Sequence, residues 1–148
     1  MISTVIITYH EDEKLEKCLM SIEDFADEIV IVDLAPEEST HQLAKKFKAK
    51  YYTHEFSSYV EPVRNFAISK ATGKWILILD PDETVNVALK DELKKVVKSD
   101  EFNAINIPRK NIFFGKWIAH TNFWPDRHIR FLKKEQWIGQ HEFTLIQK

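Results

Sequence analysis

The strongest constraint on the fold is a five-residue apolar run, Trp75–Leu79, that stops abruptly at an aspartate. A continuous apolar run of this length is typical of a strand that is buried on both faces. Similar runs lie at residues 5–7 and 29–32, and each is followed by apolar side chains at helical spacing. Alternating strands and helices of this kind predict an α/β fold with a mostly parallel, Rossmann-like central sheet and helices on both faces.

Residues typical of helix ends mark where the expected helices begin and stop. Ser39 with Gln42 three residues later forms a capping-box pattern, and Pro62 suits a first helical position. Asn86 is a good N-cap for a further helix, and Gly73 is expected to close the helix that Pro62 opens. Helices are therefore predicted to begin near each of the three N-terminal signals.

The chain is predicted to form one domain over residues 1–148, because it contains no linker, long repeat or low-complexity tract. Residues 1–102 carry the strand and helix alternation. Residues 103–148 are aromatic-rich and broken by turns, so short mixed strands are expected there. The last apparent strand, residues 143–146, comes so close to the end that we expect a C-terminally truncated piece of a longer protein.

Charge and composition narrow the classes of partner and compartment. A formal charge of −2 provides no overall attraction to nucleic acid, so nucleic-acid binding is not expected. The single cysteine, Cys18, has no intramolecular disulfide partner and falls on an apolar stripe, where a buried side chain is expected. The first residues lack the basic region of a signal peptide, so none is expected, and the longest apolar runs are too short to span a membrane. We expect a cytoplasmic protein, and the basic tail suggests peripheral contact with the inner face of the membrane.

Acidic side chains follow several of the predicted strands. Glu11 comes after the first strand, Asp33 after the second, and Asp80, Asp82 and Glu83 after the fourth. Ligands bind at the carboxyl ends of parallel strands, which meet at one edge of the sheet. Two carboxylates two residues apart, Asp80 and Asp82, can share a hard divalent cation and its waters. Such an ion would bridge diphosphate oxygens and offset the charge of a departing nucleoside diphosphate.

Several segments resemble the successive motifs of family 2 glycosyltransferases of the GT-A fold, in order and in spacing: residues 6–12, 28–33, 64–67 and 73–83. Segments of the tail resemble the acceptor-side motifs of the bacterial branch that builds lipopolysaccharide core sugars: residues 109–111, 115–116, 124–126, 130–131 and 137–142. The resemblance covers nearly the whole chain. It implies the GT-A, or nucleotide-diphospho-sugar transferase, fold, with residues 1–102 binding the donor and residues 103–148 on the acceptor side.

The resemblance also implies how a nucleotide sugar, with a UDP-sugar favoured, would be bound. The residues implied to contact this donor are Thr8, Tyr9, Glu11, Asp33, Arg64 and Asp80. Asp33 would accept a hydrogen bond from the base, and Arg64 would lie beside the phosphate or sugar oxygens. Asp82 would be the direct ligand of Mg²⁺ or Mn²⁺, with Asp80 near the ribose and the metal.

The expected reaction is the transfer of a hexose or heptose to a cell-surface glycan, lipid-linked or lipopolysaccharide-type acceptor, with inversion at the anomeric carbon. Inversion needs a base for the acceptor hydroxyl. Glu142 is favoured as that base and His141 as the group that positions the acceptor, and the exchanged roles stay open. The acceptor-side residues implied by the resemblance are Arg109, Trp124, Asp126 and Arg130.

Two departures from the family pattern leave the donor base open: His10 stands where Asn is usual, and residues 34–40 lack the usual Ser/Gly-rich loop. Three other functions compete with transfer. Asp80, Asp82 and Thr84 also match the signature of haloacid-dehalogenase-like phosphatases. A nucleotidyltransferase would need a Gly-rich loop after the first strand, which is absent. A non-catalytic nucleotide-sugar-binding module remains the third alternative.

Overall fold

The computed structural model describes residues 1–117 and 126–137 of the 148-residue chain. Four strand–helix units come first: β1 (Ile2–Thr8), α1 (Asp12–Ile22), β2 (Glu28–Asp33), α2 (Glu38–Lys46), β3 (Lys50–Thr53), α3 (Val60–Lys70), β4 (Trp75–Leu79) and α4 (Val87–Ser99). The remaining elements are strands and one short 3₁₀ turn: β5 (Ala104–Arg109), β6 (Ile112–Phe113), β7 (Lys116–Trp117), β8 (Asp126–Lys133) and Lys134–Gln136. The predicted alternation and the mixed strands after it are confirmed.

The central sheet in the described ranges has six strands in the order β3-β2-β1-β4-β8-β5. Strands β1 to β4 are parallel to one another, whereas β8 runs antiparallel to both β4 and β5. Five strands therefore point the same way and β8 opposes them. This arrangement brings the ends of β1, β2 and β4 to one edge of the sheet.

Helices cover both faces of the sheet. Successive residues of a strand point to opposite faces, so one strand packs against helices on both sides. On one face, Leu15 of α1, Ala44 of α2 and Leu93 of α4 are buried in one core cluster. On the other face, Val63 and Ala67 of α3 are buried in a second cluster. The helices on both faces that the continuous apolar runs predict are thus confirmed.

The predicted helix boundaries are only partly right. The Asn86 side chain accepts the Leu89 backbone N–H at 2.8 Å, as expected of an N-cap. The capping box predicted for α2 is wrong, since Glu38 is already helical and Gln42 donates to its Oε1 at 3.3 Å. Helix α3 begins two residues before Pro62. The two helices thus begin one and two residues before these signals, within the usual variation at helix ends.

A buried carboxylate, Glu28, lies at the start of β2, at the other end of the strands from Asp33 and Asp80. It connects β2 with β1, β3 and the segment before β4. It accepts hydrogen bonds from Ser3 Oγ and Lys50 Nζ, and from Thr72 N and Oγ1 at 2.8 and 2.9 Å. Burial alone would raise the pKa of Glu28, but the hydrogen bonds outweigh it and lower the pKa from 4.5 to about 2. We refer to Ser3, Glu28, Lys50 and Thr72 as the Glu28 cluster.

Gly73 follows this cluster at a point of close backbone contact. Its N–H donates to Ser3 Oγ at 2.8 Å, and a Cβ placed on it would lie 2.5 Å from that oxygen and 2.9 Å from Ser3 N. Because the second contact is with backbone, Gly73→Ala is expected to destabilise the fold by about 1–3 kcal/mol. Urea denaturation would measure the loss, and an unchanged midpoint would contradict the contact.

A helix that crosses a bilayer must be about 20 residues long and mostly apolar. Within residues 1–117 and 126–137, none of the helices combines the length and the apolar composition that such a crossing needs.

Candidate active site

The carboxyl ends of three parallel strands meet at one edge of the sheet, as the sequence predicts. Thr8, the last residue of β1, is the register partner of Asp33, the last residue of β2. On the other side of β1, Leu79 of β4 is the partner of Ile6, so that Asp80 follows directly at the same edge. The acidic residues after these strands therefore lie along one line, which we call the acidic edge.

Asp33 is fully buried at this edge and both of its oxygens are engaged. Oδ1 accepts the Ala35 N–H at 3.0 Å, and Oδ2 accepts the Tyr51 hydroxyl at 2.8 Å. Burial, together with the hydrogen bond to Asp33, raises the pKa of Tyr51. Tyr51 is not among the site residues that the sequence predicts. The only sequence signal for it is that it falls in the short strand predicted after β2.

The loop after β1 reaches its shape without glycine. His10 has a φ of 53°, in the left-handed region that Asn and His adopt more readily than most residues. Its Nδ1 contacts Glu37 Oε1, and Thr40 Oγ1 donates to Asp12 Oδ1 at 2.7 Å. His10 therefore adopts the backbone conformation for which Asn is suited. Its contact with Glu37, and that of Asp12 with Thr40, join the loop after β1 to the start of α2.

The remaining predicted residues of this loop differ in their surroundings. The Thr8 hydroxyl is buried, with no hydrogen-bond partner in the described part of the chain. Tyr9 is about half exposed, and its ring lies 5.3 Å from that of Phe56. Glu11 pairs with Lys14 at 3.0 Å. Tyr9 thus has a ring that is exposed to a ligand, whereas the Thr8 hydroxyl is buried.

The two aspartates after β4 have different environments. Arg130 Nη2 donates to Asp80 Oδ2 at 2.8 Å and to Glu83 Oε1 at 3.3 Å. Glu83 in turn accepts the Asp80 backbone N–H at 2.9 Å, which closes the turn. Asp82 is exposed at the mouth of this turn. Asp80 is therefore held by an arginine, whereas the carboxylate of Asp82 faces solvent.

Glu83 is the more deeply buried carboxylate of this turn. Burial raises its pKa above the ordinary value, although Arg130 and Arg109 oppose the rise. Arg109 Nη1 lies 3.4 Å from Glu83 Oε1 and 3.9 Å from Asp80 Oδ2. Two arginines from the antiparallel part of the sheet thus share the two carboxylates Asp80 and Glu83.

A β-bulge directs Arg130 toward these carboxylates. The register between β5 and β8 shifts between Ile105, opposite Phe131, and Asn106, opposite Ile129. Phe131 packs in the core of one face and Ile129 against the core of the other, although residues two apart in a regular strand share a face. Bulges re-aim side chains in this way, and here the extra residue is Arg130.

Beneath the acidic edge, the side chain of Cys18 is buried in α1, as the sequence predicts. Its Sγ lies 3.7 Å from the Asp80 carbonyl oxygen. Burial raises the pKa of the Cys18 thiol to about 12, and the nearby Glu83, Asp80 and Asp82 carboxylates add to the effect. The thiol is a packing group beneath the turn rather than a nucleophile.

A cleft of about 490 Å³ adjoins the acidic edge. Helix α3 and strands β4, β5 and β8 contribute most of its described lining, which consists of Arg64, Ile78, Asn106, Arg109, His128, Ile129, Arg130 and Trp137. Trp137 Nε1 donates to Asn65 Oδ1 at 2.7 Å, which ties the segment after β8 to α3. The structure thus brings Arg64 together with the predicted acceptor-side residues Arg109 and Arg130.

Four predicted residues are not described in full. Trp124, His141 and Glu142 lie outside the described residues. Asp126 is the first residue of β8, opposite Arg109, but its side chain is not described. The proposed base therefore stays a prediction. Among residues 1–117 and 126–137, no three His, Cys, Asp or Glu side chains are grouped as ligands for a metal ion.

Comparison with known proteins identifies the family. The family model for glycosyl transferase family 2 matches residues 3–147. A TPR repeat-containing protein of Synechococcus elongatus is 31% identical over 115 residues, covering 78% of this chain and 28% of that protein. An uncharacterized glycosyltransferase of Rickettsia typhi is 32% identical over 98 residues, covering 66% of this chain and 33% of that protein. The chain therefore spans a third or less of the length of these relatives.

Solved structures show the same fold. S. aureus TarS matches 90% of this chain and 28% of its own with a TM-score of 0.66 at 20% identity. The mannosyltransferase PcManGT of Pyrobaculum calidifontis, in complex with GDP-Man and Mn²⁺, matches 90% of this chain and 44% of its own, with a TM-score of 0.61 at 20% identity. The expected GT-A fold is confirmed by these likenesses. With nearly its whole length matched by the family model, the chain belongs to glycosyltransferase family 2.

Proposed function

We propose that this chain is the donor-binding and transfer domain of a metal-dependent glycosyltransferase. It would move a hexose or heptose from a nucleoside diphosphate to a cell-surface glycan, lipid-linked or lipopolysaccharide-type acceptor, with inversion. The observation that carries the proposal is the acidic edge of a family 2 chain, where Thr8 and Asp33 end neighbouring parallel strands and Asp80 directly follows the next one. This edge is where open α/β sheets bind nucleotides.

In the proposed donor complex, the nucleoside lies over the ends of β1 and β2. Asp33 would accept a hydrogen bond from the base through its remaining lone pairs, since Tyr51 and Ala35 already fix its orientation. Tyr9 offers an exposed ring, Thr8 has a buried hydroxyl that no described residue hydrogen-bonds, and Glu11 borders the loop. A UDP-sugar is favoured, in keeping with the TarS complexes with UDP and UDP-GlcNAc, and the GDP-Man complex of PcManGT makes GDP the alternative.

Asp82 is the residue best suited to hold Mg²⁺ or Mn²⁺. Its carboxylate is exposed at the mouth of the turn, whereas Asp80 is paired with Arg130. Mg²⁺ is commonly bound by one or two carboxylates together with substrate phosphates and waters, so the arrangement fits a metal that arrives with the donor. Such an ion would offset the charge that develops on the departing diphosphate. Asp80 would support the site from its fixed position beside the ribose, and Arg64 would approach the donor oxygens from α3.

Transfer with inversion requires a base on the acceptor side of the cleft. Glu142 is the proposed base and His141 the proposed positioning group, with the exchanged roles as the alternative. Replacing each in turn and comparing the pH–rate profiles would separate them, because loss of the base removes the ascending limb of the profile. A retained anomeric configuration in the product would rule out single-step inversion.

Nucleotide binding provides the direct test of the donor site. The chain would be titrated with UDP, GDP, CDP and ADP, each with and without Mn²⁺, and its thermal unfolding recorded. A nucleotide at about one hundred times its dissociation constant should stabilise the fold by about 2.7 kcal/mol, or raise Tm by roughly 5–10 °C at about 2–4 °C per kcal/mol. Absence of any metal-dependent shift would remove the support for donor binding.

The same experiments discriminate the rival functions. A non-catalytic module would show the nucleotide shift without any transfer by the full-length protein. A phosphatase would form a phosphoaspartate on Asp80, but its ion pair with Arg130 at 2.8 Å does not favour a free nucleophile. Trapping of phosphate on Asp80 would therefore overturn the transferase proposal in favour of the phosphatase.

Peripheral contact with an anionic membrane would bring the domain to a lipid-linked acceptor. Ile112 and Phe114 are exposed on the β6–β7 hairpin, and Lys110 and Lys116 flank them. Apolar side chains rimmed by lysines are typical of membrane-surface contact. Co-sedimentation with vesicles containing anionic lipid should fall when Phe114 is replaced by serine, and equal binding to neutral and anionic vesicles would contradict the role of the lysines.

A further inference from the structure

The cleft beside the acidic edge carries more positive than negative charge, because its three arginines outnumber the two carboxylates, Asp80 and Glu83, with which Arg109 and Arg130 pair. Among the described residues that line it, every ionisable side chain is basic: Arg64, Arg109, His128 and Arg130. Its volume of about 490 Å³ is within the range of small-molecule sites. A concave surface lined by one sign of charge attracts ligands of the opposite sign. The cleft is therefore built to receive an anion.

Two of these arginines retain buried donors that the described chain does not use. Arg130 directs Nη2 to Asp80 and Glu83, whereas its Nη1 is buried without a hydrogen-bond partner in the described ranges. Arg64 Nε is also buried, and the described residues provide it with no acceptor. Buried N–H groups are nearly always satisfied, so two unsatisfied ones at one cleft indicate a ligand that brings acceptor oxygens. A guanidinium matches the oxygens of a phosphate in particular.

The position of the cleft separates it from the donor site. Asp33 ends β2, whereas β8 lies three strands away across β1 and β4, or roughly 14 Å at about 4.8 Å per strand. A nucleoside at Asp33 and a diphosphate at Asp82 would occupy the edge as far as β4. The part of the cleft over β8 and β5, where Arg109 and Arg130 lie, is left for a second ligand.

We propose that this cleft binds a phosphate group of the acceptor, at a site separate from that of the donor diphosphate. The inference rests on the proposed transferase function, because the second ligand of a transferase is its acceptor. Arg130 would give the phosphate its unused Nη1, and Arg109 would add a charged hydrogen bond from the rim, while Arg64 stays with the donor oxygens on the α3 side of the cleft. The acceptor is accordingly a phosphorylated sugar or a phosphate-containing polymer rather than a neutral glycan.

The test is a titration with inorganic phosphate at constant ionic strength, followed by thermal unfolding and by ³¹P line broadening. It is repeated in the presence of Mg²⁺ and the nucleoside diphosphate that stabilises the chain most. We expect phosphate to bind equally well with and without the nucleotide. Competition between the two would show that the cleft is part of the diphosphate site and would overturn the proposal.

Arg109→Gln provides the matched variant, because Arg109 is partly exposed and lies at the rim of the cleft. It should weaken phosphate binding at least about tenfold, the range expected for a charged hydrogen bond, and change nucleotide affinity less than about twofold. Lys98→Gln removes the same charge from the exposed last turn of α4 and should change neither. If Arg109→Gln does not fold, Arg109→Lys is the substitute. It keeps the charge but lacks the planar guanidinium, and it should weaken phosphate binding by a smaller factor.

The two proposals fail in different ways. Phosphate binding that Arg109→Gln leaves unchanged, or no phosphate binding at all, would overturn the acceptor-phosphate site while nucleotide binding persists. Phosphate binding without any nucleotide shift would instead leave the anion site standing and remove the support for the donor site.

Discussion

Asp82→Asn is expected to lower sugar transfer by at least about a hundredfold without changing the fold. Neutralising the most exposed carboxylate of the turn after β4 removes the proposed ligand of the divalent ion. The charge stabilisation by such an ion is on the order of several kcal/mol, and about 1.4 kcal/mol corresponds to a tenfold change in rate. Surface substitutions usually alter stability by less than about 0.5 kcal/mol. Initial rates at saturating Mn²⁺ and donor, together with a urea denaturation curve, measure both quantities.

Asp91→Asn serves as the control, since Asp91 is an exposed aspartate on α4 and the substitution removes the same charge. Metal-dependent nucleotide stabilisation should disappear in Asp82→Asn and persist in Asp91→Asn. Asp80→Asn should behave differently from both, because it releases Arg130 from its 2.8 Å ion pair and disturbs the turn itself. Full activity in Asp82→Asn would remove Asp82 from the metal site.

The largest expected effect on stability comes from Glu28→Gln. The substitution keeps the shape of the side chain but removes the negative charge of the carboxylate. The oxygens of that carboxylate accept hydrogen bonds from Ser3, Lys50 and Thr72. Hydrogen bonds to a charged group contribute about 1.5–3 kcal/mol, so we expect a loss of about 2–3 kcal/mol and a fall in Tm of roughly 5–10 °C. Glu92→Gln, which breaks the exposed pair with Lys95, should cost less than about 0.5 kcal/mol.

The pH dependence of stability provides an independent check on Glu28. The folded-state pKa of about 2 lies below the ordinary value of 4.5, so the contribution of Glu28 is complete above pH 4.5 and is lost as the pH falls toward 2. The stability of Glu28→Gln should therefore depend less on pH over this interval than that of the native chain. Parallel pH profiles for the two proteins would show that Glu28 is not strongly hydrogen-bonded.

The strands and the acidic edge could be predicted because their signals are local. Trp75–Leu79 is apolar without interruption, and a strand buried on both faces requires that pattern whatever its neighbours are. Asp33 and Asp80 then follow from the rule that polar residues collect where buried strands end. The capping box at Ser39 failed because Glu38 is already helical, which places Ser39 inside the first turn rather than at the N-cap.

The contacts that shape the site could not be predicted, since they join distant parts of the chain. Arg130 reaches Asp80 across 50 residues, and it does so only because a bulge reverses the alternation of β8. Nothing in the sequence around residue 130 marks that extra residue. Tyr51 is similar, because its hydroxyl finds Asp33 only after β3 pairs with β2.

The place of β8 in the sheet affects how the chain can fold during its synthesis. β8 lies between β4 and β5, although it follows both of them in sequence. Until the ribosome has made residues 126–133, the backbone of β4 has an open edge beside Ile76 and Leu77, and β5 has no partner strand. At about 5–20 residues per second, the interval from Leu79 to Lys133 lasts roughly 3–11 seconds. During that time the nascent chain exposes an apolar strand edge, so a slowed ribosome or a shortage of chaperones should reduce the yield of this protein through aggregation.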